Sequence, residues 1–129
     1  MSAQVVLLVV VGLILVIYVS KLVRTRSVRQ YAPTEVAGKL KGPEQILLLD
    51  VRTTQERSFQ HITGSLHIPL QQLQKRIHEL QSHRNREIVC YCQSGSRSLS
   101  AALILRKQGY QAASLRGGIV DWNFAQRPL

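Results

Sequence analysis

Residues 2 to 20 carry no charge, and from Val5 to Val19 every residue is apolar except Gly12 and the amphipathic Tyr18. A helix that is apolar all round must be buried or lie in lipid, and this run offers no polar face to water. Crossing a bilayer core takes roughly 20 helical residues at about 1.5 Å each, and the run is long enough. Valine and isoleucine lower helix propensity in water, but in lipid the backbone must satisfy itself internally, so helix is the expected outcome. A secretory signal would show Lys or Arg ahead of the run and a small-residue cleavage pattern behind it. Neither is present. Residues 1–22 therefore read as a transmembrane anchor, and 23–29 as a basic juxtamembrane linker.

Lys21, Arg24, Arg26 and Arg29 follow the apolar run and no basic residue precedes it. The positive-inside rule places the remainder of the chain in the cytoplasm. The sequence reads as a single-pass protein of a bacterial inner membrane, with its basic cluster resting on anionic lipid headgroups. The net charge of +10 raises nucleic acid, an anionic membrane surface and an anionic substrate as partners. The membrane cluster accounts for part of that excess. The other basic residues are scattered, without a basic stripe or interleaved aromatics, so nucleic acid is set aside.

The soluble part alternates short apolar runs with helical patterns. Ala32-Pro33-Thr34-Glu35 marks a helix start, with proline in the first turn, and that helix is expected to end near Leu40. Ile46 to Val51 is a continuous apolar run interrupted only by Asp50, the pattern of a strand buried on both faces. Thr53-x-x-Glu56 is a capping box for a short helix through Phe59. His61 to Pro69 reads as loop and a short extended piece. Leu70, Leu73, Ile77 and Leu80 recur at helical spacing, which predicts an amphipathic helix over 70–81. Glu87–Cys92 is a second buried strand, Ser98–Gln108 a helix, Gln111–Leu115 a last strand, and a short helix surrounds Trp122. Strands separated by helices imply an α/β fold with a mainly parallel central sheet flanked by helices. In such sheets the chemistry gathers at the carboxyl ends of strands, and Asp50 and Cys92 both occupy such ends.

The chain has two cysteines, Cys90 and Cys92. Two residues apart on one strand, they are badly placed for a mutual disulfide, and a reducing compartment suits them. Cys90 lies mid-strand among Ile88, Val89 and Tyr91 and reads as a packing residue. Cys92 instead opens the loop Gln93-Ser94-Gly95-Ser96-Arg97 before a helix. Gly95 lets the backbone curl tightly, successive N–H groups form an anion-binding nest, and the helix start and Arg97 add positive field. Such a setting favours a thiolate nucleophile that attacks an anion.

Val89 to Ser98 resembles the active-site loop of the rhodanese family. Leu49-Asp50-Val51-Arg52, with Glu56, Phe59, His61-Ile62, Gly64-Ser65 and Ile68-Pro69, is similar to that family's first signature, and Leu115 to Trp122 to its C-terminal one. The resemblance covers nearly all of 30–129, which is then a rhodanese-like domain. Gln60, His67 and Gln126 depart from the common pattern at local turns, away from the cysteine loop. The resemblance implies a sulfurtransferase in which Cys92 takes sulfane sulfur from a small anionic donor such as thiosulfate, bears it as a persulfide among the amides of Gln93 to Arg97, and passes it to a thiol or protein acceptor. It also implies that the spacing Cys-x4-Arg, one residue shorter than in related cell-cycle phosphatases, suits a sulfur substituent better than a phosphate. A catalytically silent module that docks a partner at the membrane is the alternative.

The resemblance implies structural ion pairs for Asp50 and Arg52, with Glu56 as a possible partner, and His61 is expected to fix a loop rather than to act as a base. Ser94 and Ser96 are read as contacts to the donor, and Trp122 as a core or lid aromatic. His61, His67, His78 and His83 show neither i, i+4 pairing nor a cysteine at zinc spacing, so no metal or other cofactor is expected.

Overall fold

The computed structural model describes residues 1–128. Helix α1, Ala3–Arg26, contains every residue of the apolar run and continues through the first basic residues. From Ala3 to Arg24 it is long and apolar enough to cross a membrane, and none of that stretch is buried within the protein.

After α1 the chain forms β1 (Gln30–Tyr31), α2 (Pro33–Lys41), β2 (Leu47–Asp50), α3 (Thr54–Phe59), β3 (Leu66–His67), α4 (Leu73–Arg76), β4 (Ile88–Tyr91), α5 (Ser96–Lys107), β5 (Ala112–Leu115) and α6 (Gly118–Ala125). The strands make one sheet in the order β1-β5-β4-β2-β3, and every pairing is parallel. This is the α/β architecture with a parallel central sheet that the alternating strand and helix pattern implied. All residues of β2, β4 and β5 are buried, as expected of parallel strands covered on both faces. Their side chains alternate between two cores. Leu47, Leu49, Ile88, Cys90 and Cys92 pack with Ala101, Ala102 and Leu105 of α5 and with Leu73 and Leu80. Leu48, Val89, Tyr91, Ala113 and Leu115 pack with Val36 of α2 and Ile119 of α6.

Local chemistry explains the helix starts. In α3, Thr53 Oγ1 accepts the Glu56 N–H and Glu56 Oε1 accepts the Thr53 N–H, both at 3.1 Å, which closes the expected capping box. In α2, Glu35 accepts the Ala32 N–H and Pro33 fills the first turn.

The segment 70–81 departs from the single amphipathic helix that its spacing predicts. Leu70–Gln72 and Ile77–His83 are 3-10 turns, and only Leu73–Arg76 between them is α-helical. Leu70/Leu73 and Ile77/Leu80 are each three residues apart, and a 3-10 turn eclipses residues at that interval. Both pairs thereby face the core, where Leu73 and Leu80 are fully buried. Strand β1 also escapes the sequence patterns, because two residues are too few to show a period.

Candidate active site

The parallel pairing of β2 with β4 sets Asp50 opposite Tyr91, so Asp50 and Cys92 leave the sheet side by side at its carboxyl edge. Cys92 is only 1% exposed, while Gln93, Ser94 and Ser96 of the loop after it are exposed. Gly95 turns this loop with φ of +111°, in the left-handed region that glycine enters without strain. Its N–H then points back and donates to Cys92 Sγ at 3.0 Å. The sulfur thus lies at the N-terminal end of the twelve-residue α5, where the helix dipole favours negative charge.

The loop is braced from behind. Ile119 N–H donates to the Cys92 carbonyl at 2.9 Å and Val120 N–H to the Gln93 carbonyl at 3.4 Å. Both donors belong to the first turn of α6, so the two carbonyls of the loop are held away from the sulfur. Gly118 makes this possible: its φ is +63°, and a Cβ there would run into the Cys92 and Gln93 backbone. The Gly117-Gly118 pair is visible in the sequence, but its load on the cysteine loop is not.

Two buried hydroxyls complete the floor. Ser98 of α5 and Ser114 of β5 are both 0% exposed, and their Oγ atoms are 2.7 Å apart. Ser98 Oγ is 3.6 Å from Cys92 Sγ and donates to the Gly95 carbonyl at 3.0 Å. With Ser114 donating to Ser98, the single Ser98 proton is left for Gly95 O or for an ionised sulfur. Neither serine stood out in the sequence. Ser98 falls inside the matched loop motif, and Ser114 has no local signal, since only the pairing of β5 with β4 sets it opposite Cys90.

Arg97 is held by Glu56, with Nη1 and Nη2 donating to the two carboxylate oxygens at 2.7 and 2.8 Å. Glu56 is therefore the partner of Arg97, and the expectation that it joins Asp50 and Arg52 is corrected. Its short helix aims it across to the cysteine loop, whereas Asp50 points into the sheet edge. The Arg97 guanidinium holds the Glu56 carboxyl down at about 2, and the fork geometry is the strong bidentate kind.

Asp50 is fully buried and pairs with Arg52 at 3.0 Å and Arg57 at 3.3 Å. Tyr91 Oη donates to it at 3.1 Å. Burial pushes the Asp50 carboxyl up, but the side-chain and backbone N–H bonds from Arg52 outweigh it and hold the group below its ordinary range. Arg52 also donates to the Gln60 carbonyl and, at 3.4 Å, to Gln93 Oε1, which ties the end of β2 to the cysteine loop. Arg57 donates to Ser65 Oγ and O. It is a residue that sequence reasoning passed over, although it lies on the same short helix as Glu56. His61 is exposed, and its ring makes no hydrogen bond among the described residues. The loop before β3 is fixed instead by Arg57, Ser65 and Tyr91, whose Oη accepts the Ile62 N–H. His67 Nε2–H donates to the Arg52 carbonyl at 2.8 Å.

Cys90 is wholly buried, and burial pushes its thiol far up. Both thiols are free. Trp122, on α6, packs half-buried against the core cluster that contains Val36 of α2 and Ile119. Among the described residues no cluster of His, Cys, Asp and Glu could hold a metal ion. A cleft of about 400 Å³ runs beside the loop along Ser96, Arg97 and Ser100 to Lys21 of α1. A cavity of about 550 Å³ lies at Ile46, Leu47, Thr63 and Gly64, at the amino end of β2 and away from Cys92.

A profile of the rhodanese-like domain matches residues 32–125. A sulfurtransferase of Allochromatium vinosum is 38% identical over 85 residues, which cover 65% of this chain and 78% of that protein. Thiosulfate sulfurtransferase PspE of Escherichia coli is 32% identical over 73 residues, covering 57% of this chain and 70% of that one. The crystal structure of a rhodanese-related protein from Thermoplasma volcanium superposes with a TM-score of 0.69 at 27% identity, covering 78% of this chain and 95% of that chain.

Proposed function

The chain belongs to the rhodanese-like family, and on that premise we propose that it is a sulfurtransferase which moves sulfane sulfur through a persulfide on Cys92. The observation that carries this reading is the Gly95 N–H aimed at Cys92 Sγ at 3.0 Å, at the head of α5. A thiolate there receives a hydrogen bond and the positive end of a helix without any general base. In the first step the Cys92 thiolate attacks the outer sulfur of a thiosulfate-type donor. The new S–S bond forms as the donor's S–S bond breaks, and sulfite leaves with the electron pair. The terminal sulfur of the persulfide carries the charge, and in this reading the loop amides from Gln93 to Arg97 cradle it. In the second step an acceptor thiolate attacks that terminal sulfur, takes it away as a new persulfide and regenerates the Cys92 thiolate.

Asp50, Arg52 and Arg57 act as the frame of the site, since their charges are directed at one another. Helix α1 serves as a single-pass membrane anchor, and Lys21, Arg24, Arg26 and Arg29 beyond it favour a cytoplasmic domain.

The test is the intact mass of the full-length protein after treatment with thiosulfate and removal of excess reagent. The expected result is the gain of one sulfur atom, kept in Cys90→Ala and lost in Cys92→Ala. An unmodified wild type, or a gain that survives Cys92→Ala, would refute the proposal.

A further inference from the structure

Helix α5 turns Ser98, Ala101, Ala102 and Leu105 to the sheet, yet Leu99, Leu103 and Ile104 beside that stripe are also apolar and only half-buried. Helix α1 lies against this second face. Val16 and Ile17 of α1 and Leu103 and Ile104 of α5 wall a cavity of about 450 Å³. Lys21, Arg24 and Lys107 line the same cavity, and Ser20 and Ser100 add hydroxyls. Just beyond α1, the Ser27 carbonyl accepts Arg106 Nη1–H at 2.8 Å, which latches the end of one helix to the end of the other.

The depth of this cavity follows from the anchor reading, on which this inference rests. Ala3 to Ser20 is about 27 Å of helix, against a hydrocarbon thickness of about 30 Å, so the membrane boundary falls near Ser20 and Lys21. Val16 and Ile17 then lie about 6 Å inside it. The α5 side chains that share a wall with them must reach the same level. That is the depth of interfacial helices, which sink about 5–10 Å into the headgroup and acyl boundary.

We infer that the cavity between α1 and α5 seats an anionic phospholipid of the bilayer, and that α5 lies on the membrane surface. The acyl chain packs on Val16, Ile17, Leu103 and Ile104. The headgroup phosphate sits among Lys21, Arg24 and Lys107, an arrangement in which charge and apolar wall match the two ends of one amphiphile. The Cys92 loop opens at the same surface, because the cleft along Ser96 and Arg97 reaches Lys21.

The test uses the full-length protein in vesicles of phosphatidylcholine and phosphatidylglycerol with brominated acyl chains. Trp122 is the only tryptophan, so single reporters are placed in a Trp122→Phe background as Val11→Trp, Leu103→Trp and Lys41→Trp. Ile104→Trp is a second reporter should the Leu103 variant misfold. Bromine is expected to quench positions 103 and 104 nearly as strongly as position 11, and position 41 hardly at all. In native mass spectrometry of the detergent-extracted protein, phosphatidylglycerol should remain bound in preference to phosphatidylcholine. Arg24→Glu and Lys107→Glu should each lower that retention about fivefold or more. Quenching at position 11 without quenching at 103 and 104, or retention indifferent to lipid charge and to both reversals, would overturn the inference while leaving the anchor in place. No quenching at position 11 would remove the anchor and the inference together. The sulfur gained at Cys92 is read separately by mass, so neither failure touches the sulfur chemistry.

Discussion

Glu56→Gln isolates the charge that steadies Arg97. The amide keeps the length of the side chain and an oxygen for the Thr53 N–H, but loses the ionic fork to Arg97. In the folded protein the Glu56 carboxyl falls from its ordinary 4.5 to about 2. At about 1.36 kcal/mol per pH unit, that fall corresponds to at most ~3.4 kcal/mol of stability. The two side chains are 31% and 29% exposed, so solvent screening brings the expected loss to about 1.5 kcal/mol. The folded value lies below the unfolded one, so the stabilisation is complete above pH 4.5 and disappears as pH falls from 4.5 through about 2. Urea unfolding of the full-length wild type and Glu56→Gln in detergent, across that window and at neutral pH, measures the difference directly. The gap between the two proteins should be widest at neutral pH and shrink steadily below pH 4.5. A gap that stays constant down to about pH 3, or none at pH 7, would refute the assignment of the stability to this ion pair. Sulfur loading of Cys92 supplies a second readout, expected to slow as Arg97 loses its fixed position.

Gly118→Ala forces a side chain into the Cys92 and Gln93 backbone at a positive φ. It should cost about 2 kcal/mol or more and abolish sulfur loading, and a variant that loads sulfur at the wild-type rate would show that α6 does not brace the loop. Ser98→Ala leaves the buried Ser114 hydroxyl without its partner and is expected to destabilise by about 1–3 kcal/mol. Because the two hydroxyls act as a pair, adding Ser114→Ala should cost far less than it does alone, and strict additivity in the double-mutant cycle would contradict the coupling.

Much of the fold was readable along the chain because its signals are short-range. The capping box at Thr53 and Glu56, the proline at the start of α2 and the apolar runs of β2 and β4 each fall within a few residues. The segment 70–81 shows the limit of that reading, since three-residue spacing satisfies a broken 3-10 path as well as a helical face. Within the site, the loop from Cys92 to Arg97 was legible as a unit. His61 drew attention as a titratable residue in a matched motif, yet the structure leaves it exposed while Arg57, Ser65 and Tyr91 hold the neighbouring loop.

By itself the sequence determined the uncharged helical run with its basic flank, the alternation of buried strands and helices, and a cysteine opening a glycine-turned loop. Those features are written in neighbouring residues and need only backbone geometry and solvent to be expressed. The tertiary structure alone decided that Glu56 grips Arg97 from 41 residues away, that Ser114 stands behind Ser98, and that α6 anchors the cysteine loop. Such contacts exist only once the sheet order β1-β5-β4-β2-β3 has brought distant segments to one edge, and no local pattern records which of several charged or hydroxyl side chains will meet there.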